Sequence, residues 1–101
     1  MFQGTTPTIT LTFGEDVDFS EAESVVVTFA TDFHKVITEF KDNELTIDGN
    51  VISRKLTQAE TLAMPPVVQV QVNALYPDGT RAASNIATID WTRNLKNEVM
   101  L

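Results

Sequence analysis

The chain is 101 residues long, 43% hydrophobic and 21% charged, lacks cysteine, and carries fourteen Asp and Glu against seven Lys and Arg for a formal charge of −7. This is the composition of one globular domain, not of a disordered tail or a membrane protein, and a chain of this size buries about two-thirds of its unfolded surface around an ordinary core. It excludes disulfides, thiolate metal sites and a cysteine nucleophile, and its acidity repels phosphate backbones and anionic lipid heads.

The opening MFQGTTPT has no basic n-region and no apolar h-region, and no apolar run approaches the ~20 residues of a membrane span, so neither a signal peptide nor a transmembrane segment is expected. DNA mimicry would need carboxylates arrayed along one exposed face, whereas these concentrate near turns and termini.

Thr8, Thr10 and Thr12 alternate with Ile9, Leu11 and Phe13, a period-two pattern that predicts a first strand, with Pro7 placed where an edge strand begins. Ser20 followed by Glu23 fits a capping box and predicts a single helical turn. Ser24 to Thr31 sets Val25, Val27 and Phe29 on one side and Val26, Thr28 and Ala30 on the other, apolar enough for the centre of a sheet. Lys35 to Phe40 reads as its hairpin partner.

Glu44 to Ile47 and Val51 to Leu56 flank Asp48-Gly49-Asn50, and Asp-Gly supplies the positive φ that a tight hairpin demands. Thr57 with Glu60 is a second capping box, opening about two helical turns that Pro65-Pro66 stops. Val67 to Leu75 puts Val68, Val70, Val72 and Ala74 on one face and Gln69, Gln71 and Asn73 on the other. It pairs in expectation with Ala82 to Thr92 around Pro77-Asp78-Gly79, with Ala87, Ile89 and Trp91 facing the core. Residues 94–101 form a tail of undefined structure. About seven short strands without βαβ alternation predict an all-β fold, an immunoglobulin-like antiparallel β-sandwich with one or two helical turns, in a single domain spanning residues 1–101; a small open barrel is the alternative.

The residues carry no reaction signature. Glu15, Asp16, Asp18, Glu21 and Glu23 supply oxygens that Ca²⁺ would accept, but the EF-hand glycine and spacing are missing, and solvated loop carboxylates are the simpler reading. His34 is the only histidine, beside a predicted turn and without a nucleophile elbow. Trp91 and Tyr76 would stack sugars if exposed, but Trp91 shares the apolar face of its strand, and the six phenylalanines read as core. The row Gln69, Gln71 and Asn73 is the candidate partner-binding feature, either lining a sheet edge that accepts another strand or forming the wet face of a sheet. No catalytic, cofactor-binding or metal-ligating set is expected.

Taken in order, Gly4-Thr5-Thr6-Pro7-Thr8, Val27-Thr28-Phe29, Leu56-Thr57-Gln58-Ala59-Glu60-Thr61, Val70-Gln71-Val72, Asp78-Gly79 and Leu95-Lys96-Asn97-Glu98-Val99 resemble small phage and prophage proteins of Gram-positive bacteria. The resemblance covers nearly the whole chain. It implies a tail, baseplate or head accessory component found in the virion or in the host cytoplasm during assembly, with other virion proteins or itself as partner. It transfers no functional residue. The expected function is therefore non-enzymatic and structural, acting through protein–protein contacts. A carbohydrate- or cell-surface-binding module is the alternative, and a wall hydrolase would require two carboxylates poised across a cleft.

Overall fold

Two strands at the centre carry the densest alternation in the chain, and in the computed structural model, which describes residues 1–100, they pair along their whole length. β2 (Ser24–Thr31) lies antiparallel to β6 (Val67–Leu75), with every residue from Ser24 opposite Leu75 to Thr31 opposite Val68 in register. Their inward side chains, Val25, Val27 and Phe29 from one and Val68, Val70, Val72 and Ala74 from the other, are all buried. Each large member contributes about 1.5–3 kcal/mol on burial.

β3 (Val36–Lys41) flanks β2, and β7 (Arg81–Ala83) and β8 (Ala87–Asp90) both flank β6, giving a five-stranded sheet. β1 (Thr8–Thr12), β5 (Val51–Lys55) and β4 (Thr46–Asp48) form the second sheet in the order β1-β5-β4. Strands thus change sheet after β1, β3 and β5, giving an all-β antiparallel sandwich with β1, β5 and β4 as one layer and β3, β2, β6 and β7/β8 as the other; β2 lies between β3 and β6, where the immunoglobulin arrangement would place the second strand in the layer of the first, fourth and fifth. β7 and β8 occupy one flank of β6 in succession, so the eight strands fill the seven expected positions.

Ile9 and Ile52 from the smaller sheet, Phe19, Phe40, Trp91, and Leu56 and Met64 beside the helix complete the core, with the Phe29 and Phe40 rings edge-on at 5.6 Å. Phe13 and Phe19 meet in the same way at 4.9 Å. Phe2 and Phe33 are exposed instead of buried, because one sits in the N-terminal segment and the other at the tip of the β2–β3 turn.

Several local features differ from the sequence reading. The first helical turn is a 3-10 turn at Phe19–Glu21 capped by Asp18, not a box opened by Ser20, whose hydroxyl and N–H both donate to Asp18. β3 pairs with β2 through a register shift that leaves Ile37 as an extra residue, so Ile37 packs on the core although periodicity set it opposite Phe40. The strand expected from Ala82 to Thr92 is broken at Ser84–Ile86, where the Ser84 hydroxyl takes the Val72 N–H at 2.9 Å in place of a ladder carbonyl. Ile89 and Trp91 face inward as expected, but Ala87 stays exposed at the margin of the larger sheet.

The second capping box forms as written. Thr57 Oγ1 accepts from the Glu60 N–H at 3.2 Å and Glu60 Oε1 accepts from the Thr57 N–H at 2.8 Å, opening α1 (Gln58–Leu62). Thr61, fully buried on α1, donates its hydroxyl to the Thr5 carbonyl at 2.7 Å and so ties the N-terminal segment beneath the sandwich. Residues 1–3 continue that anchoring: Phe2 bridges Thr92 in parallel, and the Gln3 N–H donates to the Thr92 carbonyl at 2.9 Å. In the tail, Gln58 holds Met100 through both its amide atoms, and Asn94 donates to the Gln3 carbonyl; Leu101 lies outside the described residues.

Arg54 on β5 closes the space between the layers beside Phe40. Its guanidinium lies 4.1 Å above the Phe40 ring, donates to the Glu44 carbonyl at 3.0 Å and pairs with Glu60 Oε2 at 2.7 Å. Burial opposes ionisation of Glu60, yet the Thr57 N–H and the Arg54 guanidinium outweigh it and hold the carboxyl below its ordinary value.

Arg54→Met, which keeps the stem and loses the charge and donors, is expected to lower stability in urea unfolding by about 1–3 kcal/mol. A lowered folded-state value means that the unfolded chain binds the proton more readily, so the Glu60 contribution is present above the ordinary 4.5 and lost as pH falls through and below it. Glu60→Gln should accordingly flatten the acid side of the stability-versus-pH curve, measured by thermal melting.

Candidate functional site

The outer face of the five-stranded sheet is where the predicted amide row lies, and the pairing register fixes its neighbours. Gln69, Gln71 and Asn73 stand opposite Ala30, Thr28 and Val26 on β2, and Gln69 and Asn73 also stand opposite Thr88 on β8 and Ala83 on β7. β6 is bonded on both flanks, so the row does not line an edge open to a partner strand. It is the middle of a face.

Two of the three amides are committed within the sheet. Gln71 Nε2 donates to the Ser84 carbonyl at 3.0 Å, holding the break between β7 and β8, and Asn73 Oδ1 accepts from Arg81 Nε and Nη2 at 3.3 and 3.1 Å. Gln69 Oε1 is covered yet has no hydrogen-bond partner among the described residues.

Two shallow depressions occupy this face and share Thr28, which donates to Glu39 at 3.1 Å. One is bounded by Ser24, Val26, Asn73, Leu75 and Arg81, the other by Ala30, His34, Val36, Gln69 and Ile86. Val36 and Ile86 are each about half exposed on opposite sides of the second depression, Leu75 is 41% exposed in the first, and Phe33 projects at 87% from the adjoining β2–β3 turn. The face thus combines amides in the middle with uncovered aliphatic groups at the margin, in depressions that are open and not enclosed. Sequence reasoning found the amides but not Val36, Leu75 and Ile86, because periodicity cannot tell which strand flanks which.

The other candidates disperse. Asp18 and Asp78 lie in turns at one end of the sandwich, where Asp18 accepts from the Ser20 hydroxyl and N–H and Asp78 from the Thr80 N–H at 2.9 Å. Those bonds stabilise the carboxylates and lower both acids from their ordinary values. No group of three or more His, Cys, Asp or Glu side chains among the described residues converges in a way that holds a metal ion, which includes the acidic stretch 15–23. His34 takes the left-handed conformation at φ 66° in the β2–β3 turn, exposed at the rim of the second depression, a conformation to which histidine adapts better than most residues.

Trp91 is 4% exposed in the core, its backbone N–H bonded to the Pro66 carbonyl, while Tyr76 covers the far end of β6 and directs its hydroxyl to the Asp18 carbonyl. They share no surface and form no stacking platform. Among the described residues no helix is long and apolar enough to cross a membrane. No protein-family model, no curated protein and no solved structure matches the chain.

With its indole buried, Trp91 is expected to emit at blue-shifted wavelengths and to resist acrylamide quenching in the native protein. Red-shifted, readily quenched fluorescence that responds to soluble cell-wall glycan would instead place the ring on the surface.

Proposed function

We propose that this protein is a non-enzymatic structural or assembly module of a phage or prophage particle, acting through contacts with other virion proteins or with itself. The observation that carries this reading is the outer face of the five-stranded sheet, where Val36, Leu75 and Ile86 remain uncovered around Gln69 and Thr28. Its support from the sequence is the run of segments from Gly4-Thr5-Thr6-Pro7-Thr8 to Leu95-Lys96-Asn97-Glu98-Val99 that resembles small phage proteins of Gram-positive bacteria. A glycan-binding role loses its best stacking residue in the burial of Trp91, and gains no other feature in return.

The reading turns on whether the exposed aliphatic groups are contact residues. Val36→Glu and Ile86→Glu alter side chains already half in solvent, so stability should move by no more than about 0.5 kcal/mol. Incorporation of either variant into purified particles, quantified by mass spectrometry against the wild type, should fall by at least about tenfold, the equivalent of 1.4 kcal/mol of contact energy. Recovery of the wild-type protein only from unassembled cytosol, never from particles, would overturn the proposal.

A further inference from the structure

A β-sandwich that is not a closed barrel has exposed strand edges, and each free row of N–H and C=O groups is a template for another strand unless something blocks it. Three of the four margins in this protein are blocked. β3 carries the Ile37 bulge together with Glu39 and Lys41. β4 is three residues long, ends in Asp48 and is flanked by the turns at Phe19–Glu21 and Asp42–Glu44. The margin made by β7 and β8 is interrupted at Ser84–Ile86, opens with Arg81 and is overlaid at its end by residues 1–3.

The fourth margin, β1, has none of these devices. Thr8-Ile9-Thr10-Leu11-Thr12 is uncharged, unbulged and free of internal proline or glycine. Its bonding pattern can be read from its two ends. The Leu56 N–H donates to the Pro7 carbonyl and the Phe13 N–H to the Asn50 carbonyl, both at pairs continuous with the β1–β5 register. Hydrogen-bonded and non-bonded pairs alternate in an antiparallel ladder. Ile9 and Leu11 therefore bond to β5, and the N–H and C=O groups of Thr8, Thr10 and Thr12 point away from the sheet.

We propose that this edge pairs with the β1 edge of a second copy, antiparallel about a two-fold axis at Thr10, joining the two smaller sheets into one continuous sheet. Two properties select a second copy over a foreign strand. The segment is self-complementary: about Thr10, Thr8 meets Thr12 of its partner, Ile9 meets Leu11, and Thr10 meets Thr10. The outward groups of all three threonines are then satisfied in about six reciprocal bonds, and the apolar pair falls on the core side, where Ile9 is buried and Leu11 half-buried. Charge is also complementary, because the antiparallel arrangement brings Lys55, which pairs with Thr8, toward Glu15 and Asp16, which follow the far end of β1 in the other copy. A parallel arrangement would set the acidic residues against each other. This proposal deepens the assembly reading by naming the edge and the partner, and rests on it only for its biological setting.

The test uses the full chain in solution. Sedimentation equilibrium from about 10 μM to 1 mM spans the range expected of a small interface, and the weight-average mass should rise from 11.2 kDa toward twice that value. Over the same range the amides of Thr8, Thr10 and Thr12 should gain protection in hydrogen-exchange NMR while those of β3 do not. Thr10→Pro removes the central outward donor of both copies and leaves the bonds to β5 intact; Thr10→Lys opposes two like charges at the axis. Each should weaken self-association at least about tenfold with an unchanged thermal melt, and the lysine variant stands alone if the proline variant fails to fold. A chain that stays monomeric at 1 mM with all three amides unprotected overturns the pairing, as does self-association undiminished in Thr10→Lys. Particle incorporation enters neither measurement, so either result leaves the assembly reading to its own test.

Discussion

The ladder between β2 and β6 is the constraint on which the rest of the structure depends. Strand side chains alternate strictly, so a slip of one residue would turn Val25, Val27 and Phe29 to solvent and Val26, Thr28 and Ala30 to the core, and would do the reverse to β6. Seven buried side chains on these two strands penalise that slip together. With the register held, positions on every other strand of the larger sheet follow from it. Asn73 faces Arg81 through the β6–β7 pairing, Gln71 reaches the Ser84 carbonyl, and Thr28 meets Glu39 across β3. The outer face is in this sense a by-product of core packing.

What was legible in the sequence was legible because it is local. β2 and β6 have the limits that their alternation gave, Thr57 and Glu60 form the box that their spacing implied, and the Asp48-Gly49-Asn50 turn closes a two-residue hairpin with Gly49 at φ 57°. The failures share a physical cause. At Phe19–Glu21, Ser20 and Asp18 compete for the same free N–H groups, and the outcome depends on where the chain must turn to enter β2. Extra residues at Ile37 and at Ser84–Ile86 leave no mark in hydropathy, because a bulge is a property of a pair of strands. Whether Gln69, Gln71 and Asn73 sit at an edge or in the middle depends likewise on sheet order, which no single strand encodes.

Polar side chains in this protein mostly serve the backbone. Ser84 stands in for a missing ladder carbonyl, Thr61 anchors the N-terminal segment, Gln58 clasps the tail and Asn50 donates to the Phe13 carbonyl. Each of these satisfies a main-chain group that the irregular parts of the fold would otherwise leave without a partner, at a net gain of about 1 kcal/mol apiece. Side chains so occupied are held in place by the backbone they serve, and this accounts for amides and hydroxyls that are spread along the irregular parts of the fold.

Charge then selects the directions from which another protein can approach. The connection from β1 to β2 and the turns after β4 and β6 lie at one end of the sandwich, and they bring Glu15, Asp16, Asp18, Glu21, Glu23, Asp48 and Asp78 there. With the molecule 47 Å long and about 29 by 20 Å across, that end is well separated from the opposite one, where residues 1–3 and the tail are tied down. Two such acidic ends repel, and screening over about 8 Å at physiological salt weakens but does not remove the effect at contact distance. Approach is least opposed along the sides, over the outer face with its balance of Glu39, Arg81 and neutral groups and along the uncharged β1 edge. The uneven distribution of carboxylates therefore leaves the field weakest over the sheet that has uncovered aliphatic groups and along the uncharged strand at the margin of the smaller sheet.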